Sequence, residues 1–497
     1  MRIAAPAFAF VGSGCLLVLE IVAARLIAPD LGVSLYTWTS VIGVVLAGVT
    51  LGNFLGGRLA DRRPAASTLA VLYLAGAAAS LVVLGVLHVV HSIELPYSTP
   101  ALLQVLWVTA LLFLLPATLL AMPTPLLTRL SLAAVEEGGR VVGRIQAAAA
   151  LGSIVGTFLT GFFLISWFGT RHIVAGIAGV LVLLAVAARP SWLHPRGVSS
   201  VLGLLAVLAL AGAAVGAGWA AGSTCLRESD YYCITIAPVP AVPANTRTLY
   251  LDGLPHASVD LARPDTLVFD YEQLYAAVLE AARPLHSRLD AFFLGGGGYV
   301  FPRWVEAHYR GRSTVAEIDP AVTQVVERYL GLHLSPRLTA HAGDARRVLE
   351  TLPASTRFDA VIGDAFNGME VPWQLTTKQF DKVVAAHLRP QGLFLLNLID
   401  GVHDDFLRSE VRTLRTVFPY VTIAASTWPP GVVRTTYVLV AAKARPAERL
   451  PVVSAASLDR FVAHGHSVVL TDDHAPVEQL LAPVSAQLMQ AQIATAP

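Results

Sequence analysis

The sequence predicts an α-helical transmembrane bundle of about seven spans, followed by an α/β, doubly wound, Rossmann-like domain with an N-terminal β-hairpin region. Three observations predict this architecture. Apolar runs long enough to cross a bilayer fill the chain before residue 222. Strand and helix patterns alternate after residue 270, which indicates a parallel sheet covered by helices. Between residues 290 and 319, a glycine-rich loop follows one strand and acidic residues follow the next.

Composition supports a membrane-embedded first part. The chain has 497 residues, of which 55% are hydrophobic and only 14% charged, and its mean hydropathy of +0.62 lies outside the range of soluble proteins. Crossing ~30 Å of hydrocarbon takes roughly 20 apolar residues. The predicted spans are Ala5–Ala28, Leu35–Gly57, Thr68–Val90, Ala101–Met122, Ile145–Phe168, His172–Ala188 and Val198–Ala221. The first is not a cleaved signal peptide, because it carries Glu20 and Arg25 and further spans follow.

The distribution of arginines predicts the orientation in the membrane. One set of alternate loops holds Arg2, Arg58, Arg62, Arg63, Arg129, Arg140, Arg144, Arg189 and Arg196. The other loops hold only Arg171. By the positive-inside rule the N-terminus is cytoplasmic, and seven spans then place the second part on the far side of the membrane. We therefore expect a multi-pass protein of the cytoplasmic (inner) membrane with an extracytoplasmic α/β domain, a cytoplasmic domain being the alternative.

Two cysteines agree with that orientation. Cys225 and Cys233 flank the segment CLRESDYYC just beyond the last span. An oxidising compartment would let them form a disulfide, and two unrelated free thiols are the alternative. The net charge of +1 and the absence of a basic run in the sequence give no indication of a nucleic-acid partner.

Two features of the membrane part carry predictions. Glu20 lies deep within the first span, where a charge costs at least ~2.5 kcal/mol on insertion scales, so it is a candidate functional residue of a transporter. Arg25, near the end of that span, can reach the interface. Small residues at helical spacing predict close packing between helices. These are Gly48, Gly52, Gly56, Gly152 and Gly156.

The second part begins with strands. Tyr231–Pro238 and Thr246–Leu251 alternate as a hairpin pair, and Asp252-Gly253 then signals a turn. The elements predicted after it are a helix at Asp270–Ala282, strands at Ala291–Leu294 and Ser313–Ala316, a helix at Ala321–Leu330, a strand at Leu338–Ala342, a helix at Arg346–Leu352, a strand at Phe358–Gly363, a helix at Thr377–His387 and a strand at Gly392–Leu398. We expect three domains, over residues 1–222, 223–270 and 271–490.

The stretch from Asp290 to Asp319 carries the clearest functional pattern. Gly295 to Gly298 follow a short apolar strand, and glycines there let the backbone turn sharply and approach a ligand closely. Glu317 ends the next strand, where a carboxylate can accept both hydroxyls of a ribose. The combination predicts a nucleoside site at the carboxyl edge of the sheet.

A family resemblance extends this prediction. The order LDG…H…D, Tyr275, LGGGG, AEID, GDA and FDAVIGDAF resembles the spermidine synthase (polyamine aminopropyltransferase) family. LTTKQF at 375–380 and LTDDHAPVEQL at 470–480 resemble its membrane-fused type, which has an N-terminal transmembrane domain. The resemblance covers roughly residues 228 to 480, and the AEID and glycine-loop motifs also occur in class I methyltransferases. It therefore implies a class I methyltransferase-like fold.

The resemblance also implies a substrate and a site. The co-substrate would be decarboxylated S-adenosylmethionine or S-adenosylmethionine, the other substrate a small amine, and no metal would be needed. Asp364 would be the general base, and His256 and Tyr275 would lie along the substrate channel. The co-substrate would be held by Gly295, Gly296, Gly297, Glu317, Asp319, Asp344 and Ala345, the last two at the adenine. Lipid is the other expected partner, and a homodimer is compatible with the resemblance.

Structural alternatives stand beside these assignments. Glu317 and Asp319 could cap the next helix, and Asp364 could end its strand in a turn. The sequence also departs from the family pattern, because acids of the family are absent at Gly298, at Ala276-Ala277 and at Asn367. Three hypotheses follow: a membrane-anchored aminopropyl or related alkyl transferase, which we prefer, a non-catalytic nucleoside-binding or sensor domain, and a transporter with a regulatory soluble domain.

Overall fold

The computed structural model describes residues 4–31, 35–90, 101–132, 138–189, 191, 198–220, 225–238, 245–365, 371–401, 403–428, 430, 435–446 and 450–483. The chain divides into two compact units between residues 224 and 225. We call them the helical unit and the α/β unit.

The helical unit consists of helices and one π-helical turn. In chain order these are α1 (Ala5–Leu31), α2 (Leu35–Arg62), α3 (Ala66–Val90), α4 (Ala101–Ala121), α5 (Pro123–Ser131), α6 (Gly138–Leu159), the π-helical turn (Thr160–Leu164), α7 (Ile165–Trp167), α8 (Thr170–Ala188) and α9 (Val198–Ala220). Among the described residues, six helical segments are long and apolar enough to cross a membrane, and together they cover α1 to α8. The seventh predicted span forms α9, whose stretch Val201–Ala217 is apolar but shorter.

Glycines allow close approach of helices within this unit. α1 packs on α6 and α2 packs on α4. A methyl group added at Gly152 would clash with the carbonyl oxygen of Phe10, and one added at Gly156 would lie 2.6 Å from the carbonyl oxygen of Gly14. At Gly48, the added carbon would lie 2.6 Å from the Cβ of Ala117. The predicted close packing of the glycine positions is confirmed.

The α/β unit begins with a four-stranded antiparallel sheet. Its strands are β1 (Arg227–Glu228), β2 (Cys233–Ala237), β3 (Thr246–Leu251) and β4 (Leu254–Asp260), in that spatial order. Asp252 and Gly253 both have positive φ, of 48° and 76°, as the turn of a tight hairpin requires. The turn was predicted, but β4 was not, because Pro255 interrupts the strand pattern in the sequence. Cys225 and Cys233 form a disulfide.

A seven-stranded sheet forms the rest of the α/β unit. Its strands are β5 (Ala291–Leu294), β6 (Ser313–Glu317), β7 (Leu338–Ala342), β8 (Phe358–Gly363), β9 (Leu388–Asp400), β10 (Tyr420–Ala424) and β11 (Thr435–Ala442). The helices are α10 (Asp270–Ala282), α11 (Val300–His308), α12 (Pro320–Tyr329), α13 (Ala345–Thr351), α14 (Lys378–His387), α15 (Asp405–Leu414) and α16 (Ala455–Ala463).

The order of this sheet establishes the fold class. The strands lie in the order β10-β11-β9-β8-β5-β6-β7. Neighbours from β9 to β7 pair in parallel, whereas β11 is antiparallel to both β9 and β10. The predicted class I methyltransferase-like fold is confirmed. The strands that we predicted from the sequence, β5 to β9, all pair in parallel, and the antiparallel strand β11 lies beyond the last of them.

The central strands are buried on both faces, which explains their continuous apolar sequences. Every residue of β5 and of β8 is buried. The carboxyl ends of β5, β6, β7 and β8 therefore meet at one protected edge of the sheet. In such sheets ligands bind at this edge.

Candidate functional site

A cavity lies at the carboxyl edge of the seven-stranded sheet. Its walls combine the ends of β5, β6 and β8 with the start of α13, part of β4 and the segment from Pro372 to Leu375. Several residues predicted from the sequence line this cavity, namely His256, Gly295, Gly297, Glu317, Asp344, Ala345 and Asp364. The other three selected residues lie next to the cavity. Gly296 and Asp319 donate main-chain hydrogen bonds to Glu317, and Tyr275 donates to the carbonyl of Gly363, the residue before Asp364.

The glycine-rich loop turns sharply after β5. Gly295 and Gly297 have positive φ, of 93° and 47°, and a side chain at Gly295 would put its Cβ 2.5 Å from the carbonyl oxygen of Asp364. Arg303 fixes the loop by hydrogen bonds to its main-chain carbonyls. Its Nη2 donates to the carbonyl of Gly298 at 2.6 Å and its Nε donates to that of Tyr299 at 3.0 Å.

Glu317 ends β6 and binds the glycine-rich loop directly. Its Oε2 accepts from the amide nitrogens of Gly296 at 2.8 Å and Gly297 at 3.3 Å, and its Oε1 accepts from that of Asp319 at 3.0 Å. Burial raises the pKa of Glu317, and the three backbone hydrogen bonds oppose that rise. A carboxylate has about four acceptor positions, two on each oxygen, so Oε1 retains one position for a ligand.

Asp319 has a structural environment. Its Oδ1 accepts from the amide nitrogen of Ala321 at 2.9 Å and so caps the N-terminus of α12. Its Oδ2 accepts from the hydroxyl of Ser229 at 2.5 Å, which joins the first turn of the α/β unit to β6. Glu317, in contrast, faces the cavity. The two acids of AEID therefore face different parts of the unit.

Asp344 and Ala345 lie at the start of α13. Asp344 caps this helix through the amide nitrogen of Arg347 at 2.9 Å. The side-chain amide of Gln374 donates to the other carboxylate oxygen at 3.4 Å. Gln374 lines the cavity as well, so this wall carries an acid and an amide side by side.

Asp364 follows β8 and has hydrogen-bond donors on both carboxylate oxygens. The hydroxyl of Tyr271 donates to Oδ2 at 2.8 Å, and Nδ2 of Asn397 donates to Oδ1 at 2.8 Å. Burial raises the pKa of Asp364, and both side-chain hydrogen bonds counteract that rise. The result is a desolvated carboxylate held in one orientation, which is the arrangement expected of a base.

Neither of these partners of Asp364 was predicted from the sequence. Tyr275 was predicted instead, but its hydroxyl donates to the carbonyl of Gly363 at 2.7 Å and does not reach the acid. Tyr271 lies four residues earlier, on the same face of α10, and reaches the acid itself. That spacing could have identified Tyr271, whereas Asn397, near the end of β9, had no signal in a single sequence.

His256 on β4 presents an unpartnered nitrogen at the cavity. Nε2 is buried and has no hydrogen-bond partner among the described residues. Burial lowers the pKa of His256 to about 4, so the imidazole is neutral near pH 7. Because a buried polar atom without a partner costs free energy, Nε2 is available for a ligand.

The three positions at which the sequence lacks acids of the family differ from one another in their environment. At Gly298, an added Cβ would clash with the Cβ of Ala257 on β4, so an acid does not fit there without movement of that strand. Ala276 is buried in the core of the α/β unit. Asn367 lies outside the described residues. Within the described part of the chain, no group of three or more His, Cys, Asp or Glu side chains could hold a metal ion.

Comparisons with known proteins show which proteins the chain is similar to. No family model matches the chain. A polyamine aminopropyltransferase from Vibrio vulnificus is 31% identical over 124 residues, which cover 25% of this chain and 41% of that protein. The predicted resemblance to the spermidine synthase family is confirmed. The matched region spans less than half of the length of that relative.

Two further relatives show the range of similar proteins. A Drosophila melanogaster protein named eEF1A lysine and N-terminal methyltransferase homolog is 32% identical over 159 residues, covering 30% of this chain and 23% of that protein. The crystal structure of a probable spermidine synthase from Corynebacterium glutamicum aligns with a TM-score of 0.42 and 23% identity, covering 48% of this chain and 93% of the other.

Proposed function

We propose that the protein is a membrane-anchored, spermidine-synthase-like transferase that moves an aminopropyl group from decarboxylated S-adenosylmethionine to a small amine. The single observation that carries the proposal is the placement of Asp364. This partly buried carboxylate is oriented by Tyr271 and Asn397 and lies beside a glycine-rich loop that Glu317 holds from the next strand. The similarity to a polyamine aminopropyltransferase supports it.

The reaction is a displacement at the carbon beside the sulfonium. The amine nitrogen forms a bond to that carbon, the carbon–sulfur bond breaks, and its electron pair passes to the sulfur, which leaves as a neutral thioether. The amine proton goes to Asp364. Such a step requires positioning of the two reactants and a base for the nucleophile, and little else from the protein.

The other residues around the cavity have these roles in the proposal. Gly295 to Gly297 approach the thioether and amino end of the donor, and Glu317 accepts the ribose hydroxyls. Asp344 and Ala345 meet the adenine. His256 supplies a neutral acceptor or donor along the channel of the amine, since its Nε2 has no partner among the described residues.

The experiment that tests the proposal uses the full-length protein in nanodiscs. Decarboxylated S-adenosylmethionine is supplied with a series of monoamines and diamines, and release of 5′-methylthioadenosine is measured. Asp364→Asn should reduce turnover by about 10² to 10⁴, the usual contribution of a positioned base, with affinity for 5′-methylthioadenosine retained. Binding without turnover for any amine would instead indicate a binding module, and an unchanged affinity in Glu317→Ala would show that the site is misplaced.

One observation favours a second donor. A carboxylate side chain beside the glycine-rich loop would repel a donor that carries its own carboxylate. Ala257 fills that space in this protein, and residue 298 is glycine. S-adenosylmethionine differs from the decarboxylated donor by that carboxylate, so alkyl transfer from S-adenosylmethionine is the second candidate. The same assay with S-adenosylmethionine distinguishes the two, because methyl transfer releases S-adenosylhomocysteine.

We also propose that the α/β unit lies outside the cytoplasm. Support comes from the arginine distribution and from the disulfide between Cys225 and Cys233, since disulfides persist in oxidising compartments. The number of membrane crossings decides the side. An odd number places the α/β unit opposite the N-terminus, and an even number places it on the same side.

A further inference from the structure

The adenine side of the cavity includes a short 3-10 turn. This turn covers Trp373–Leu375, and its residues Gln374 and Leu375 line the cavity. The side chain of Gln374 donates to Asp344, the acid that we place at the adenine. The position of this turn therefore determines the shape of the wall against which the base would lie.

Arg346 attaches the turn to α13. Its Nη1 donates to the main-chain carbonyl of Gln374 at 3.2 Å. Its Nε donates to Glu350, one helical turn further on, at 3.0 Å. The side chain of Arg346 is half-buried, with 18% of its surface exposed. A single side chain thus links the helix that begins at Asp344 to the turn that carries Gln374.

Asp472, from a distant part of the sequence, fixes this arginine. Its two carboxylate oxygens accept from Nη1 at 2.8 Å and Nη2 at 2.7 Å of Arg346, in a bidentate arrangement. The hydroxyl of Thr377, the N-cap of α14, donates to the same carboxylate at 2.7 Å. The amide nitrogen of Asp472 donates to Gln379 at 3.2 Å. The hydrogen bonds from Arg346 keep the pKa of Asp472 below its usual range, so the carboxylate is ionised at neutral pH.

The segment that carries Asp472 is itself anchored. Leu470 is fully buried, its amide nitrogen donates to the hydroxyl of Thr413 at 2.9 Å, and its carbonyl accepts from the amide nitrogen of Lys378 at 2.9 Å. Thr471 and His474 then close a tight turn through two backbone hydrogen bonds. Asp472 is therefore presented to Arg346 by a segment fixed on α14 and α15.

We infer that Asp472 is a positioning residue for the adenine wall, acting through Arg346 on the turn that carries Gln374. The inference rests on the proposed function, because it takes the Asp344 side of the cavity as the adenine site. Nothing in the catalytic chemistry requires Asp472. Its role is to keep the guanidinium directed at the Gln374 carbonyl, which holds the turn and its side-chain amide beside Asp344.

Asp472→Asn is the test variant, in the full-length protein in nanodiscs. The amide retains the size of the side chain but removes the charge and one acceptor, so the bidentate pair is lost. The matched control is Asp459→Asn. Asp459 on α16 binds Arg415, the residue after α15, at 2.7 Å in a more exposed ion pair, and neither residue lines the cavity.

Two readouts are measured on each variant. The first is the affinity for 5′-methylthioadenosine and for 5′-methylthioinosine, which differ only in the purine. Asp472→Asn should weaken binding of the adenine compound by about tenfold, which equals 1.4 kcal/mol, and reduce the preference for adenine over hypoxanthine. The second is amide hydrogen exchange of the peptide 371–377 without ligand, which should become faster. Asp459→Asn should change neither, and Arg346→Lys should behave as Asp472→Asn does, because an ammonium cannot form the bidentate pair.

The outcomes separate the inference from the proposed function. Unchanged exchange in 371–377, or an equal loss of affinity for both nucleosides together with a lower melting temperature, overturns the positioning role. Faster exchange in a protein that binds neither nucleoside overturns the proposed function and leaves the mechanical link between Asp472 and the turn intact.

Discussion

At the scale of single residues, the hydrogen bond from Tyr271 to Asp364 predicts a pH dependence. Burial raises the pKa of Asp364 and the Tyr271 hydroxyl lowers it. A base acts when deprotonated, so activity falls as pH decreases through that pKa. Tyr271→Phe removes one donor to the ionised form, and the acid limb of kcat/KM should move to higher pH by about one unit.

Tyr275→Phe is the control for this measurement. Both tyrosines lie on α10, but Tyr275 is fully buried and its hydroxyl binds the Gly363 carbonyl rather than the acid. Its removal should leave the acid limb in place. If the acid limb of kcat/KM moved by the same amount in both variants, the change would come from a perturbed packing of α10 and not from loss of the hydrogen bond to Asp364.

His256 predicts a second pH effect, on stability. Its pKa is about 4 in the folded protein, against 6.5 for an unperturbed histidine. Between these values the unfolded chain binds the proton and the folded protein does not, so stability is full above pH 6.5 and decreases as pH falls towards 4. The loss approaches about 3 kcal/mol. His256→Gln should abolish this part of the decrease when unfolding is followed from pH 7 to pH 4.

The exposed His333 supplies the comparison for this variant. His333→Gln should show the same acid sensitivity as the wild-type protein. If His256→Gln remains as sensitive to acid as the wild type, carboxylates whose pKa is lowered in the folded protein, such as Asp472 beside Arg346, determine the profile. Asp400, whose pKa is raised to about 7 by burial, acts in the opposite direction and stabilises the folded protein as pH falls.

The residue scale also shows where sequence reasoning reaches its limit. Gly295, Glu317 and Asp364 could be selected because each lies at the end of a strand, and such ends meet at one edge of a parallel sheet. Tyr271 and Asn397 approach Asp364 from sequence separations of 93 and 33 residues. The spacing from Tyr275 places Tyr271 on the same face of α10, but no local pattern brings Asn397 on β9 to the same acid.

At the scale of elements, the contact between α1 and α6 predicts that alanine substitutions at two glycines of α6 have different effects on stability. Gly152 packs against the backbone of Phe10, whereas Gly143 has open space around it. Gly152→Ala should destabilise the helical unit by about 1 to 3 kcal/mol through overpacking. Gly143→Ala should be neutral or stabilise α6 by up to about 1 kcal/mol, through its helix propensity.

The measurement for this pair is the fraction of full-length protein that stays monodisperse in detergent after heating to a series of temperatures. The Gly152→Ala curve should lie at lower temperature than those of the wild type and of Gly143→Ala. Coincident curves for the two variants would contradict the proposed importance of close packing between α1 and α6.

Elements of the α/β unit were predicted with uneven success. From α10 to α14, the elements for which we predicted bounds agree within a residue or two, because turn residues separate segments of clear strand or helix period. No bounds were predicted for α11. β4, β10, β11, α15 and α16 were not predicted. The reversed strand β11 pairs with β9 after an intervening helix and strand, and its direction follows from sheet topology rather than from its own sequence.

At the scale of the whole molecule, the disulfide predicts the outcome of a topology experiment. If the α/β unit lies outside the cytoplasm, a membrane-impermeant thiol reagent applied to intact cells should label Cys225 and Cys233 only after mild reduction. Cys15, buried in α1, should not react in either condition. Protection of both thiols until the membrane is opened would place the unit in the cytoplasm and imply an even number of crossings.

Arg303 has a consequence for the evolution of this fold. One guanidinium serves three main-chain carbonyls, those of Gly298, Tyr299 and Leu330, at 2.6, 3.0 and 2.9 Å. No other side chain offers that many donors in a fixed planar geometry. Substitution at this single position would remove all three hydrogen bonds at once, and only the carbonyl of Tyr299 would keep a main-chain partner, the amide nitrogen of residue 303 at 3.1 Å. The acids around the cavity could therefore change during evolution, and the substrate specificity with them. Arg303 and the glycine-rich loop that it holds would remain unchanged.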